Sequence, residues 1–178
     1  MITTMEKEEN MLIELAKQGD SAAFGELVDR YKHALVRHCY MLVGDPDIAQ
    51  DVAQDTFIDA YKYLGSYQNN KARFSTWLYK IATHNGIRMI QSGKKTIPMD
   101  NEALGRLPSG HISPDVAVEH YELRQAVLRM PPNYRAVISM YYWEGMAYSE
   151  IAMALGKPEG TVKGWLSRAK YQLRKEIS

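Results

Sequence analysis

The stretch that decides the fold comes last: residues 148–177, YSEIAMALGKPEGTVKGWLSRAKYQLRKEI. Ser149 reads as the N-cap of a short helix carrying Ile151, Ala152 and Leu155, Gly156 permits a turn, and Pro158 suits the first turn of a second helix. This is helix-turn-helix grammar. On the second helix Val162, Trp165, Leu166, Ala169 and Leu173 share an apolar arc, and Lys163, Ser167, Arg168, Tyr171, Arg174 and Lys175 occupy the opposite one. A helix that enters the major groove of DNA needs that division, with one face held by its own domain and the other offering donors to bases and phosphates. An ordinary terminal helix with basic residues matched to its dipole accounts for Arg174 and Lys175 but not for the whole arrangement.

Outward from this segment the 3.6-residue period persists. Leu12, Leu15 and Ala16 follow it, and so do Phe24, Leu27, Val28, Tyr31 and Leu35, with no convincing alternating strand. Gly19-Asp20-Ser21 and Gly44-Asp45-Pro46 each supply a helix stop followed by a cap; later breaks fall at Gly65-Ser66 and Ser92-Gly93. Residues 92–114 are rich in glycine and proline and poor in apolar residues, which reads as a flexible linker. The expected fold is therefore all-α, with two small helical domains, residues 1–91 and 115–178, joined by that linker.

The chain has 178 residues, 46% hydrophobic and 24% charged, which is ordinary globular composition. No apolar run approaches the roughly 18 residues of a membrane helix. The opening MITTMEKEEN carries acids where a signal peptide would be basic, so a cytoplasmic protein without membrane insertion is expected. The single cysteine, Cys39, excludes an intrachain disulfide. His33 and His38 lie near it, but a thiol within HCYMLV reads as a small buried hydrophobe, and neither a metal nor a cofactor is expected.

The formal net charge of +1 becomes informative when divided along the chain. Residues 1–65 carry −6, residues 66–95 carry +6, residues 96–156 carry −3 and residues 157–178 carry +4. Neutrality here is cancellation, and blocks of opposite sign imply separate surfaces for separate partners.

Within the first block Asp47, Asp51, Asp55 and Asp59 recur every four residues. On a helix they span about 18 Å of one face, while Ile48, Val52, Ala53, Phe57, Ala60 and Leu64 turn largely to the other. Such repetition is destabilising for a lone helix by a few tenths of a kcal/mol per pair. A solvated face or a docking face for a basic partner both fit. A metal site fits less well, since hard cations gather their ligands from loops or several elements.

In the second block Phe74, Trp77, Leu78 and Ile81 have core spacing on a helix. The preceding Tyr67–Arg73 loop offers a tyrosine, amides and cations without a helical register, a mixture that can hold single-stranded nucleic acid by charge and base stacking. A plain basic loop is the alternative.

Taken together, GDSAAFGELVDRYKHAL, GDPDIAQDVAQDTFIDAYKYL, FSTWLYKIATHN and the run from Met130 to Ile177 resemble, in order and spacing, the extracytoplasmic-function (group IV) sigma factors of RNA polymerase. The resemblance implies a promoter-specificity subunit with no catalysis of its own. Its partners would be core RNA polymerase, promoter DNA in duplex and melted form, and an anti-sigma factor. It places Asp47, Asp51, Gln54, Asp55, Phe57 and Asp59 on the polymerase-docking helix. Tyr67, Asn69, Asn70, Lys71, Arg73, Trp77, Lys80, His84 and Arg88 fall in the part that opens and reads the minus-ten element. Thr161, Lys163, Gly164, Ser167, Arg168, Tyr171 and Arg174 fall on the helix that reads the minus-thirty-five element. Departures from the family pattern are His84 for a usual Asn, Arg88 for a usual Asp, Gly86 as an interruption of the same helix, and Gly164-Trp165 for a usual Ser-Arg. The alternative is a stand-alone helix-turn-helix regulator that binds duplex DNA without polymerase.

Overall fold

A computed structural model describes residues 2–93 and 114–178. Among them the chain is helical with no strand: α1 (Thr4–Lys17), α2 (Ser21–Val43), α3 (Pro46–Tyr63), α4 (Phe74–Gln91), α5 (Pro114–Leu128), α6 (Pro132–Ile138), α7 (Tyr148–Leu155) and α8 (Glu159–Ile177). A 3-10 turn, Leu64–Ser66, follows α3, and a π-helical turn, Ser139–Trp143, extends α6. Most of the expected linker lies outside the described residues.

The boundaries follow capping chemistry. Asp20 accepts from the Ala23 amide at the start of α2, and Asp45 accepts from Asp47 and Ile48 at the start of α3, with Pro46 in the first turn. Gly44 closes α2 in the left-handed conformation at φ 79°. At α7 the expected cap is corrected. The helix begins at Tyr148 with Ala147 before it, and the Glu150 carboxylate, not Ser149, meets the Ala147 amide at 2.8 Å.

In the N-terminal domain α2 packs against α1, α3 and α4. Its core takes Leu27, Leu35 and Leu42 from α2, Val52 and Ala60 from α3, and Phe74 and Leu78 from α4. Full burial of each such Leu or Phe contributes about 1.5–3 kcal/mol. On α1 the expected period is off by one side chain: Ile13 is buried with Leu12 and Ala16, whereas Leu15 faces solvent. In the C-terminal domain Val137, Ile138, Ile151, Val162, Leu166 and Ala169 close α6, α7 and α8 over one another.

The two domains touch. Helix α2 packs on α5 and α6 as well as on its own domain, and α4 packs on α7. At the centre of this contact His38 is completely buried. One ring nitrogen is hydrogen-bonded to Ser139 Oγ and the other to Thr83 Oγ1, both at 2.9 Å, and Tyr79 stacks edge-on at 4.9 Å. A neutral imidazole has one donor and one acceptor, so the two hydroxyls take opposite roles. Cys39 beside it is buried too, and burial pushes its thiol pKa up, as befits an apolar space-filler.

Burial, with Arg37 adding to it, draws the His38 pKa down from 6.5 to about 3. The unfolded chain therefore binds a proton below about 6.5 that the folded one refuses until about 3. Stability is full above that window and falls as pH drops through it, by about 1.4 kcal/mol per pH unit from this residue. Urea denaturation between pH 7 and pH 4 should show that slope, and His38→Gln should flatten it; parallel slopes would refute the assignment.

Candidate functional site

Gly156 ends α7 at φ 61°, a conformation that L side chains rarely adopt, and this turn aims α8 away from α7. Val162, Leu166 and Ala169 pin one side of α8 in the core. Lys163, Ser167, Arg168, Tyr171 and Arg174 consequently stand exposed on its outer side, with Thr161 and Gly164 half-buried near its N-terminal end. Trp165 does pack: it is half-buried, 6.5 Å from the Tyr134 ring. Lys163 Nζ lies 3.2 Å from Glu159 and 5.5 Å from the centre of the Tyr148 ring. Lys170 sits over Tyr141 and Tyr142, which extends the cationic and aromatic surface past the residues expected from sequence.

On α3 the acidic residues divide. Asp47, Asp51 and Asp55 are exposed on one face with Gln54. Beside them a groove of about 650 Å³ runs between α2 and α3, lined by Phe24, Val28, Gln54, Phe57, Ile58 and Tyr61 among others. Asp59 turns away. Its Oδ2 accepts from Asn85 Nδ2 at 2.9 Å, and Asn85 Oδ1 in turn accepts from Arg88 at 3.2 Å. Asp59 thus anchors α4 and stands apart from the exposed acidic face on which the spacing had placed it. Ile58 and Tyr61, both largely exposed, belong to the groove and were missed. The signal was there, as two large apolar side chains on the polar side of an amphipathic helix.

The Tyr67–Arg73 loop is built around a buried aromatic cluster. Tyr67, expected among the DNA-contacting residues, is instead only 3% exposed. Its ring lies 5.5 Å from Phe74 and 5.3 Å from Trp77, its hydroxyl donates to the Ala72 carbonyl at 2.9 Å, and Lys17 donates to its carbonyl. Tyr67 fixes the loop, and no face is left for a base to stack on. Asn69, Asn70, Lys71 and Arg73 are exposed around it.

On α4, Lys80, His84 and Arg88 are exposed and Trp77 is half-buried. All of them line a cleft of about 740 Å³ whose far wall includes Asn133, Lys157 and Trp165 of the C-terminal domain. Gly86 does not interrupt the helix, which runs unbroken to Gln91. A Cβ there would come within 2.8 Å of Leu42 Cδ1, so glycine sets how closely α4 lies on α2. Among the described residues no group of three or more His, Cys, Asp or Glu could hold a metal ion.

This geometry describes a helix-turn-helix module with an exposed basic face, joined to a module with an exposed acidic helix face. Residues 27–96 match the family model "Sigma-70 region 2" and residues 120–173 match "Sigma-70, region 4". The chain is 36% identical to the ECF RNA polymerase sigma factor SigW of Bacillus subtilis, over 93% of this chain and 94% of that protein. It is 32% identical to the ECF RNA polymerase sigma-E factor of Escherichia coli K12, over 95% of this chain and 94% of that one. Two solved structures share the fold. CnrH in complex with the cytosolic domain of CnrY aligns with a TM-score of 0.74 at 22% identity, over 96% of this chain and 97% of that one. The sigma factor RpoE of Bartonella quintana in complex with the anti-sigma factor NepR aligns at 0.71 and 19% identity, over 86% and 96%. The chain belongs to the extracytoplasmic-function sigma factors of RNA polymerase. As a transcription initiation factor it binds core RNA polymerase and directs initiation at particular promoters.

Substitution tests the packing that places α4. Gly86→Val should cost about 1–3 kcal/mol by overpacking against Leu42, read as a lower urea midpoint, and an unchanged midpoint would show that the Leu42 side chain swings aside.

Proposed function

We propose that residues 1–91 dock on core polymerase and melt and read the minus-ten element, while residues 115–178 read the minus-thirty-five element. The carrying observation is the separation of three solvent faces: the acidic face and groove of α3, the basic loop with α4, and the outer side of α8. On the first, Asp47, Asp51, Gln54 and Asp55 offer carboxylates and an amide beside an apolar slot that takes in Phe57, which suits a basic, partly apolar helical partner. Long-range attraction brings the partner in and apolar burial holds it. On the second, Asn69, Asn70, Lys71, Arg73, Lys80, His84 and Arg88 offer cations and amides to an unpaired strand, with Trp77 as the ring available for stacking. Base extrusion costs a few kcal/mol, which these contacts must offset.

On the third face, α8 presents Lys163, Ser167, Arg168, Tyr171 and Arg174 to the major groove, with Thr161 and Gly164 close to the backbone. The Gly164 position is open, with nothing within 4 Å of where a Cβ would stand, so a phosphate can approach the helix there. The protein performs no covalent chemistry and works in the cytoplasm beside the polymerase. No helix of the described residues is long and apolar enough to cross a membrane. An anti-sigma factor is the expected regulator, since the RpoE structure that shares this fold was solved with one. A stand-alone helix-turn-helix regulator would have no use for the α3 groove.

Added to core polymerase, the protein should start run-off transcription from specific promoters, and Asp51→Lys with Asp55→Lys should weaken core binding at least about tenfold, with α8 binding to duplex intact. Tight operator binding by the isolated protein, with no effect on core polymerase, would overturn the proposal. Lys163→Ala and Arg168→Ala should each weaken binding to the upstream element by about 1–3 kcal/mol where they read a base. A smaller salt dependence with sequence preference unchanged would assign them to phosphates instead.

A further inference from the structure

A third cavity lies apart from the acidic groove and from the cleft along α4. It encloses about 910 Å³ between the start of α1, the middle of α2 and the Tyr67–Arg73 loop, and it shares no lining residue with either of the others. Every residue of its wall falls between positions 2 and 75, so it belongs wholly to the N-terminal domain. Glu9, Asn10, Arg30 and Tyr31 line it, and none of them has a place in the docking or strand-reading surfaces assigned above.

The polar groups of this cavity suit a ligand that carries a donor beside an acceptor. Tyr31 Oη donates to Glu9 Oε2 at 2.6 Å and so fixes the carboxylate. Burial of Tyr31, and then this hydrogen bond, raises its hydroxyl pKa, so the phenol keeps its proton. The other carboxylate oxygen, Glu9 Oε1, has no partner among the described residues, and neither has the Asn10 side-chain amide next along α1. The first can only accept; the second can donate. The Tyr31 ring, 5.5 Å from Phe74, and the exposed Met5 add an aromatic and a thioether surface to the wall, both suited to a flat ring. Arg30 and Arg73 line the same space, 3.6 Å from Glu8 and 3.9 Å from Glu6. These pairs reach solvent and are screened, so each guanidinium can exchange its carboxylate for a phosphate. Asn69, Asn70 and Arg73 form the wall toward the loop, and a strand held on that loop runs beside the cavity.

We propose that this cavity takes up one base of the melted strand and selects cytosine or adenine: Glu9 Oε1 accepts from the exocyclic amine, and Asn10 donates to the ring nitrogen beside it. This rests on the assignment of the loop to single-stranded DNA. Cytosine and adenine present an amine next to an acceptor nitrogen on their pairing edge, whereas thymine and guanine present a carbonyl next to an N–H. The reversed order sets an oxygen against the carboxylate. Tyr31 is a positioning residue here, since it acts by holding Glu9, and α1 becomes a second reading element on the far side of the loop from the α4 cleft.

The test uses holoenzyme, the full-length protein with core polymerase, titrated against fluorescent promoter duplexes whose bubble is opened in advance. Each non-template position of the bubble carries each of the four bases in turn. At one position cytosine and adenine should bind about tenfold more tightly than thymine. Glu9→Gln, with its carbonyl on Tyr31, turns an NH2 toward the base and should cut that preference to about twofold or less, while preferences at other positions persist. Tyr31→Phe should weaken the same preference and no other. Base preferences identical in Glu9→Gln and wild type at every position would overturn the proposal. Thermal melts identify a variant that fails to fold, and Asn10→Asp, which replaces the donor with an acceptor, then takes its place with the same expected loss. Deoxycytidine monophosphate in excess should not displace the bubble; displacement by the free nucleotide as effective as by an unlabelled single strand would make this a free-nucleotide site and overturn the assignment to the strand. Run-off by the wild-type holoenzyme is measured alongside. Its absence would count against the proposed promoter function, whereas run-off with base selection indifferent to Glu9 would sink this inference alone.

Discussion

An uncharged histidine in the C-terminal half of α2 is the constraint on which the arrangement depends. His38 ties a hydroxyl of α4 to a hydroxyl of the C-terminal domain, and each bond determines which role the other can have. A buried group of this kind is stable only when both nitrogens are satisfied, so the three elements that meet there are positioned together or not at all. Helix α2 is consequently a shared spine. It carries the core of one domain on its inner side and the seat of the other near its C-terminal half.

Charge is distributed with the same economy. Near-zero net charge would count against a nucleic-acid partner if the surface were uniform, but the acids are concentrated on α1–α3 and the bases on α4, its loop and α8. Each face can be strongly polar without giving the free protein a large overall attraction for DNA. Opposite charge also brings Arg73 of the loop to 3.6 Å from Glu150 of α7, a contact between the two domains.

Much of this was legible in the sequence. Caps at Asp20 and Asp45, the helix-ending glycines Gly19, Gly44 and Gly156 and the amphipathic split of α8 are local, and local chemistry decides them. Asp47, Asp51 and Asp55 share the exposed face that the spacing predicts and Asp59 does not, because periodicity places a residue on a helix face without saying what lies opposite; Asn85 captures Asp59 from another helix. Tyr67 was misread for a related reason. A tyrosine in a polar loop has the composition of a stacking platform, and only the neighbouring Phe74 and Trp77 rings show that it is the loop's anchor. The domain contact had no local signature at all, since Arg37 and Glu144 are 107 positions apart.

The π-helical turn at Ser139–Trp143 gives this contact a further property. Ser139 at its start meets His38, and Glu144, directly after its end, meets Arg37, so the turn acts as a ruler between two anchor points on adjacent residues of α2. Each residue of an ordinary α-helix advances the chain by about 100°, and a π turn closes its hydrogen bond over one residue more than an α turn does. The spacing between the anchors is thus fixed by a count of residues. Side chains within the segment can drift in chemistry, but a change of length by a single residue would swing Glu144 away from the spine, making this short stretch intolerant of insertion and deletion.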